Sequence, residues 1–241
     1  MSDTLKTPPS SPPSRSLSSL PNRYLYLLRN RGLKRTVKII RAHADDALFE
    51  LRYGVRTGRM VGLGDLEVVG DNKDQGYYYQ AVQVSVFRSV FDSFQIPADG
   101  VFVDYGSGKG RAVMLSIEYG FHRAVGIEFA RDLCREAEHN LDKFRARTSG
   151  HFEARVLNGD AACYQVHDDD CVFFLYDPFG KKVLEQVLCN IRLSLQSKPR
   201  LIHVVYGYPV HRQVLDDDPF WRVAGETTSG GFDPFVYYQP R

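Results

Sequence analysis

Three glycines at alternate positions, Gly106, Gly108 and Gly110, follow an acid at Asp104, and a second acid stands at Glu128. Glycines so placed let a chain leave a strand with φ > 0 and let a ligand lie against bare backbone, which a Cβ would block. The carboxylates supply acceptors for hydroxyls and amines. Glu128 follows the turn at about the 20-residue spacing at which an acid holds a ribose in a βαβ nucleotide fold. A third acid closes Asn158-Gly159-Asp160, and a fourth, Asp177, heads Asp177-Pro178-Phe179-Gly180. Each ends a stretch that reads as a strand, and open parallel sheets bind ligands beyond the carboxyl ends of their strands.

Two common ligand classes fit the turn poorly. The phosphate loop G-x-x-x-x-G-K-[ST] needs a Ser or Thr after its lysine, whereas Lys109 is flanked by Gly108 and Gly110. The dinucleotide fingerprint needs a third glycine where Arg111 stands. Asp104 would repel a pyrophosphate.

The run Asp104-Tyr105-Gly106-Ser107-Gly108-Lys109-Gly110 resembles motif I of the class I S-adenosylmethionine (SAM) dependent methyltransferases, D/E-x-G-x-G-x-G. The resemblance spans residues 77–241 and includes some protein-lysine methyltransferases. It implies that the turn, with Ser107, wraps the methionine part of SAM, that Glu128 holds the ribose hydroxyls, and that Asp160 faces the adenine amino group with Ala161 beside it. It also implies that Asp177, Pro178 and Phe179 stand where the amine methyltransferases carry N/D-P-P-Y/F, which holds an acceptor N–H. Here a single proline departs from that pattern.

The elements that position these residues follow from hydrophobic patterning. Val101–Tyr105, a strand ending at Glu128, a third over 151–158, Cys171–Tyr176 and Arg200–Tyr206 read as five strands alternating with helices to about Tyr119, over Arg131–Arg147 and from Lys181 to Leu195. The unbroken CVFFLY is what a strand buried on both faces should be. Trp221–Gly225 and Pro234–Gln239 suggest a closing antiparallel hairpin. Pattern alone gives an α/β domain; the resemblance implies a Rossmann-like, seven-stranded, mostly parallel sheet with helices on both faces.

Upstream, residues 1–22 are rich in Ser and Pro and are expected to be a disordered tail. Residues 23–76 form an extension. Its part from Arg23 to His43 mixes Leu, Ile and Tyr with Lys and Arg, as a basic amphipathic helix broken near Gly32 would, and residues 44–76 read as loop-rich with a short strand at Leu66–Val69. Tyr77-Tyr78-Tyr79 then opens a helix to Phe94. The catalytic domain is assigned to 77–241.

A net charge of +2 does not by itself argue for a nucleic-acid partner. Cys134, Cys163, Cys171 and Cys189 contain no C-x-x-C pair, which suggests reduced, mostly buried thiols and no metal site. No apolar run approaches 18 residues, so a cytoplasmic location is expected. Methyl transfer needs mainly a nucleophile held in line with the S–CH₃ bond. The function expected is SAM-dependent methylation of an amine, on a protein lysine or a small molecule, with Asp177 beside the acceptor. His203 reads as a core residue and His211 as the better-placed base. Two alternatives remain: a non-catalytic SAM or nucleotide-binding module docked on a membrane or RNA through Arg23–His43, and a nicotinamide dehydrogenase.

Overall fold

The computed structural model describes residues 32–58, 80–228 and 234–241. The tail, the Leu66–Val69 strand and the three tyrosines from Tyr77 lie outside them. The chain divides into two units, residues 1–41 and 42–241. In the first, the Thr36 hydroxyl donates to the Gly32 carbonyl (3.0 Å) in the opening turn of helix α1, Leu33–Tyr53.

The second unit is built on one sheet. Its strands are β1 Val101–Tyr105, β2 Arg123–Glu128, β3 Glu153–Asn158, β4 Asp170–Tyr176, β5 His203–Gly207, β6 Trp221–Thr228 and β7 Pro234–Pro240. They lie in the order β3-β2-β1-β4-β5-β7-β6. β1 to β5 are parallel, and β7 runs antiparallel to both β5 and β6, as the sequence leads one to expect. The chain steps outward from β1 to β3 and then crosses back to β4. The order therefore reverses between β1 and β4, and a crevice opens at their carboxyl ends.

Alternation along the strands builds a core on each face. Phe102, Val172 and Phe174 face helices α2 Val84–Phe94, α3 Arg111–Tyr119 and α4 Arg131–Arg147. Val103, Tyr105, Phe173 and Leu175 face α5 Lys181–Ser197 and the short α6 Gln213–Asp216. With both faces covered, no polar residue interrupts these strands except Asp104 at the end of β1 and Asp170 at the start of β4.

Three expectations need correction. Residues 44–53 are helical, not loop: Phe49 and Tyr53 bury one side of α1 in the core, and the glycine punctuation begins only at Gly54, in the left-handed region at φ +65°. Helix α2 starts at Val84 because the Val84 amide, an orphan donor at a helix start, finds the Asp46 carboxylate at 2.9 Å. Cys163 and Cys189 are exposed thiols, while Cys134 is buried.

Candidate active site

β1 delivers the chain into the glycine turn with Gly106, Gly108 and Gly110 all left-handed, at φ +77°, +52° and +80°. Gly106 is required twice over. A Cβ there would be strained and would lie 2.4 Å from Pro178 Cβ, so the turn after β1 is packed directly on the turn after β4. The amides of Gly106 and Ser107 both donate to the Ile127 carbonyl of β2, at 2.9 and 3.1 Å. Ser107 turns its side chain inward: a Cβ on Gly126 would meet Ser107 Oγ at 2.5 Å. Lys109 is buried and its Nζ reaches Glu136 at 2.8 Å, pointing back to α4.

Two carboxylates are buried beneath this turn. Asp104 is 4% exposed and Glu128 3%. Glu128 Oε2 accepts from the Gly108 amide (2.7 Å) and Oε1 from the Ala130 amide (2.8 Å). Burial pushes Asp104 up to about 8, with the neighbouring Glu128 charge adding to the effect. Burial also lifts Glu128 to about 7, against the pull of the Ala130, Gly108 and Phe129 amides. Each carboxylate has more lone pairs than protein donors, which is the donor-poor setting that ribose hydroxyls or a cation would complete.

The third strand end is stitched to the second. Asn158 Nδ2 donates to the Glu128 carbonyl (2.9 Å), and so does the Gly159 amide (3.0 Å). Asp160 caps the 3₁₀ turn Ala161–Cys163, its Oδ1 accepting from the Ala162 amide at 2.9 Å, and Ala161 is buried.

Asp177 stands between β1 and β5 at the end of β4. Its φ is +42°, unusual for a side-chain-bearing residue, and its amide donates to the Gly207 carbonyl at 3.1 Å. Its Oδ1 is buried with no hydrogen-bond partner among the described residues, and burial raises the carboxyl to about 6. Pro178 lies on Gly106, whereas Phe179, 7% exposed, sinks into the α5-side core. The structure thus brings Asp104, Gly106, Glu128, Asp177 and Pro178 together at the carboxyl ends of β1, β2 and β4 and leaves Phe179 in the core.

Residues 75–162 match the model of the family described as histone methylation protein DOT1. The chain is a class I SAM-dependent methyltransferase. Its fold is shared with the Escherichia coli protein yhhF, assigned as a methyltransferase (18% identity, TM-score 0.51, 73% of this chain and 98% of that one). It is shared also with a Pyrococcus horikoshii protein assigned as an RNA methyltransferase (14%, 0.50, 74% and 95%). An RNA methyltransferase from Salinibacter ruber, solved with S-adenosyl-L-homocysteine (SAH), aligns at 19% identity and TM-score 0.48 over 66% of this chain and 93% of that one. No curated protein sequence matches.

The methyltransferase has a feature that sequence reasoning missed. Arg111, the first residue of α3, is 2% exposed. Its Nε donates to Thr57 Oγ1 (2.6 Å), one terminal nitrogen to Glu50 Oε1 (3.1 Å), and the other to the Val82 carbonyl (3.3 Å) while lying 3.2 Å from Asp46 Oδ1. Asn140 of α4 completes the arrangement: its Nδ2 donates to the carbonyls of Lys109 and Arg56, and its Oδ1 accepts from the Arg56 amide. The chain at 56–58 is thereby fastened to the outer side of the glycine turn. The only signal in the sequence was a basic residue where the dinucleotide fingerprint has glycine.

The two histidines separate as expected in part. His203 is buried at the start of β5, in contact with the Tyr237 hydroxyl at the sheet end away from the turn, and burial lowers its pKa. His211 follows β5 and lines a cavity of about 490 Å³ with Lys181, Glu185 and Asp217; its Nε2 is buried without a partner among the described residues. No described helix is long and apolar enough to cross a membrane.

Proposed function

We propose that the methyltransferase acts on an amine nitrogen, most directly that of a protein lysine, and that Asp177 receives the acceptor N–H. The observation that carries this reading is the buried, unpartnered Oδ1 of Asp177 in a backbone conformation that costs free energy, held beside the glycine turn by the Pro178–Gly106 contact. The family model over residues 75–162, one of histone methylation, favours a protein as the acceptor.

On this reading residues 77–241 form the catalytic domain, with 23–76 an extension and 1–22 a tail. When bound, SAM supplies an activated methyl group. Gly106, Ser107, Gly108 and Gly110 would border its methionine part, Glu128 its ribose hydroxyls, and Asp160 with Ala161 its adenine. The cradle fits: its glycines leave room that side chains would fill, and its buried carboxylates await donors. Asp104, ionised, would favour a cationic ligand over a neutral one. Asp177 has two tasks, to orient the nitrogen through one hydrogen bond and to take its proton, and a carboxyl raised to about 6 can do both near neutral pH. Pro178 and Phe179 position it, one against Gly106 and the other in the core.

The test uses tritiated SAM with poly-L-lysine and with core histones as acceptors. Asp177→Asn keeps the left-handed backbone and a hydrogen-bond acceptor but cannot take a proton. A fall in kcat of about 10²-fold with unchanged SAH affinity supports proton transfer to Asp177. Full activity in Asp177→Asn removes that role, and wild-type protein that binds SAH yet labels neither acceptor sinks the amine reading.

A further inference from the structure

Among the described residues only three non-glycine side chains sit on left-handed backbone: Gln95, Asp177 and Tyr208. Gln95 is explained, since it ends α2 as a C-cap whose amide donates to the Phe91 carbonyl. The other two follow adjacent parallel strands. Tyr176 of β4 pairs with Gly207 of β5, and the Asp177 amide donates to the carbonyl of Gly207, the residue before Tyr208. Two strained residues therefore follow neighbouring strand ends, Asp177 joined to Pro178 on the glycine-turn side and Tyr208 one strand farther out, after β5.

Tyr208, at φ +48°, is the harder to account for structurally. A bulky aromatic residue is disfavoured there, where glycine or asparagine would sit at little cost, and a following proline, Pro209, biases it further toward extended backbone. The conformation is fixed from outside: its amide donates to the Pro234 carbonyl of β7 (2.8 Å), and its carbonyl accepts from Val210 (2.8 Å). The strain does not serve packing, because Tyr208 remains 47% exposed. Meanwhile Phe179, the aromatic residue that Asp177-Pro178-Phe179 would offer to a flat substrate, is buried in the core. Strain at a residue whose side chain packs into no core is the kind that functional sites retain.

The geometry points to Tyr208 as the specificity-determining residue on the acceptor side, its ring packing along the alkyl stem of a primary amine while Asp177 Oδ1 accepts the N–H. This rests on the amine reading above. An exposed aromatic residue one strand away from a lone buried acceptor suits a lysine-like side chain: apolar methylenes along the ring, a polar tip at the carboxylate. Tyr208 would set acceptor affinity and leave the cofactor untouched.

Tyr208→Gly and Tyr208→Asn both remove the ring and both tolerate φ > 0, so neither is expected to unfold. Tyr208→Phe keeps the ring. The experiment measures KM and kcat for poly-L-lysine, SAH affinity by calorimetry, and Tm. Expected is a KM raised about thirtyfold in Tyr208→Gly and Tyr208→Asn, the factor for one lost contact of hot-spot size. SAH affinity should not change, Tm should hold or rise, and Tyr208→Phe should behave as wild type. A merely structural tyrosine predicts unchanged KM in all three, and that result overturns the assignment while leaving the amine reading intact. Wild-type protein that binds SAH but labels an adenosine-rich RNA oligonucleotide in place of poly-L-lysine overturns both.

Discussion

Glu128 and Gly108 are joined by a 2.7 Å hydrogen bond from the Gly108 amide to Glu128 Oε2, which ties the second strand to the middle of the glycine turn. One carboxylate thus shapes the turn and, through its remaining lone pairs, faces the crevice. With Oε1 accepting from Ala130 at 2.8 Å, the side chain is fixed before any ligand arrives.

Glu128→Gln separates these tasks. The amide must present an NH₂ group either to a backbone N–H or to the crevice. SAH binding should weaken by about 1.5–3 kcal/mol, the worth of a hydrogen bond to a charged acceptor, with little loss of Tm. Isothermal titration calorimetry against wild type reads it directly.

Proton linkage gives a second expectation. Burial raises both carboxyls, Asp104 to about 8 and Glu128 to about 7, above their unfolded values near 4. The folded state therefore binds these protons more tightly than the unfolded chain. Their contribution to stability is complete below about pH 4 and is lost as pH rises through 7 and 8. Ligand-free protein should resist urea better at pH 6 than at pH 9. Over the same interval SAM, a cation, should gain affinity relative to neutral SAH as the pair ionises, which calorimetry at the two pH values would show.

Gly106→Ala tests the contact between the two turns. The substitution meets left-handed backbone, at about 1–3 kcal/mol, and a Cβ 2.4 Å from Pro178. SAH binding should be lost. Gly159→Ala, with nothing within 4 Å of the added Cβ, should stay within about 0.5 kcal/mol of wild type in chemical denaturation.

Arg111→Gln leaves Asp46 and Glu50 without their cation. Those carboxylates keep 19% and 29% exposure, so the expected cost is about 3 kcal/mol, the low end for a broken buried pair. Urea unfolding measures it, and an unchanged midpoint would show that the ion pairs contribute nothing net.

The sheet and the glycine turn were legible because their signals are local. Unbroken apolar runs in VFVDY and CVFFLY, glycines at three left-handed positions and acids at strand ends each declare themselves within a few residues. The Arg111 arrangement was not, since its partners lie 54 and 61 residues away along the chain. The inward turn of Ser107 was hidden for a related reason: it depends on Gly126 across the sheet. The helix over 44–53 was missed where the charge changes from basic to acidic. Its apolar face, continuing through Ala42, Phe49 and Tyr53, was nevertheless present to be read. Backbone strain at Tyr208 leaves no trace in composition.

The distance along the chain between Arg111 and its partners bears on how the protein assembles. Loops of 50–60 residues close slowly compared with a strand-turn-helix unit, and contacts of high sequence separation form against a larger loss of chain entropy. The β1–α3–β2 unit can collapse by itself, yet the guanidinium at its centre stays uncompensated until the segment with Asp46, Glu50 and Thr57 arrives. On a ribosome that segment emerges first and must wait. Maturation of the cofactor crevice is then timed by the docking of residues made before it.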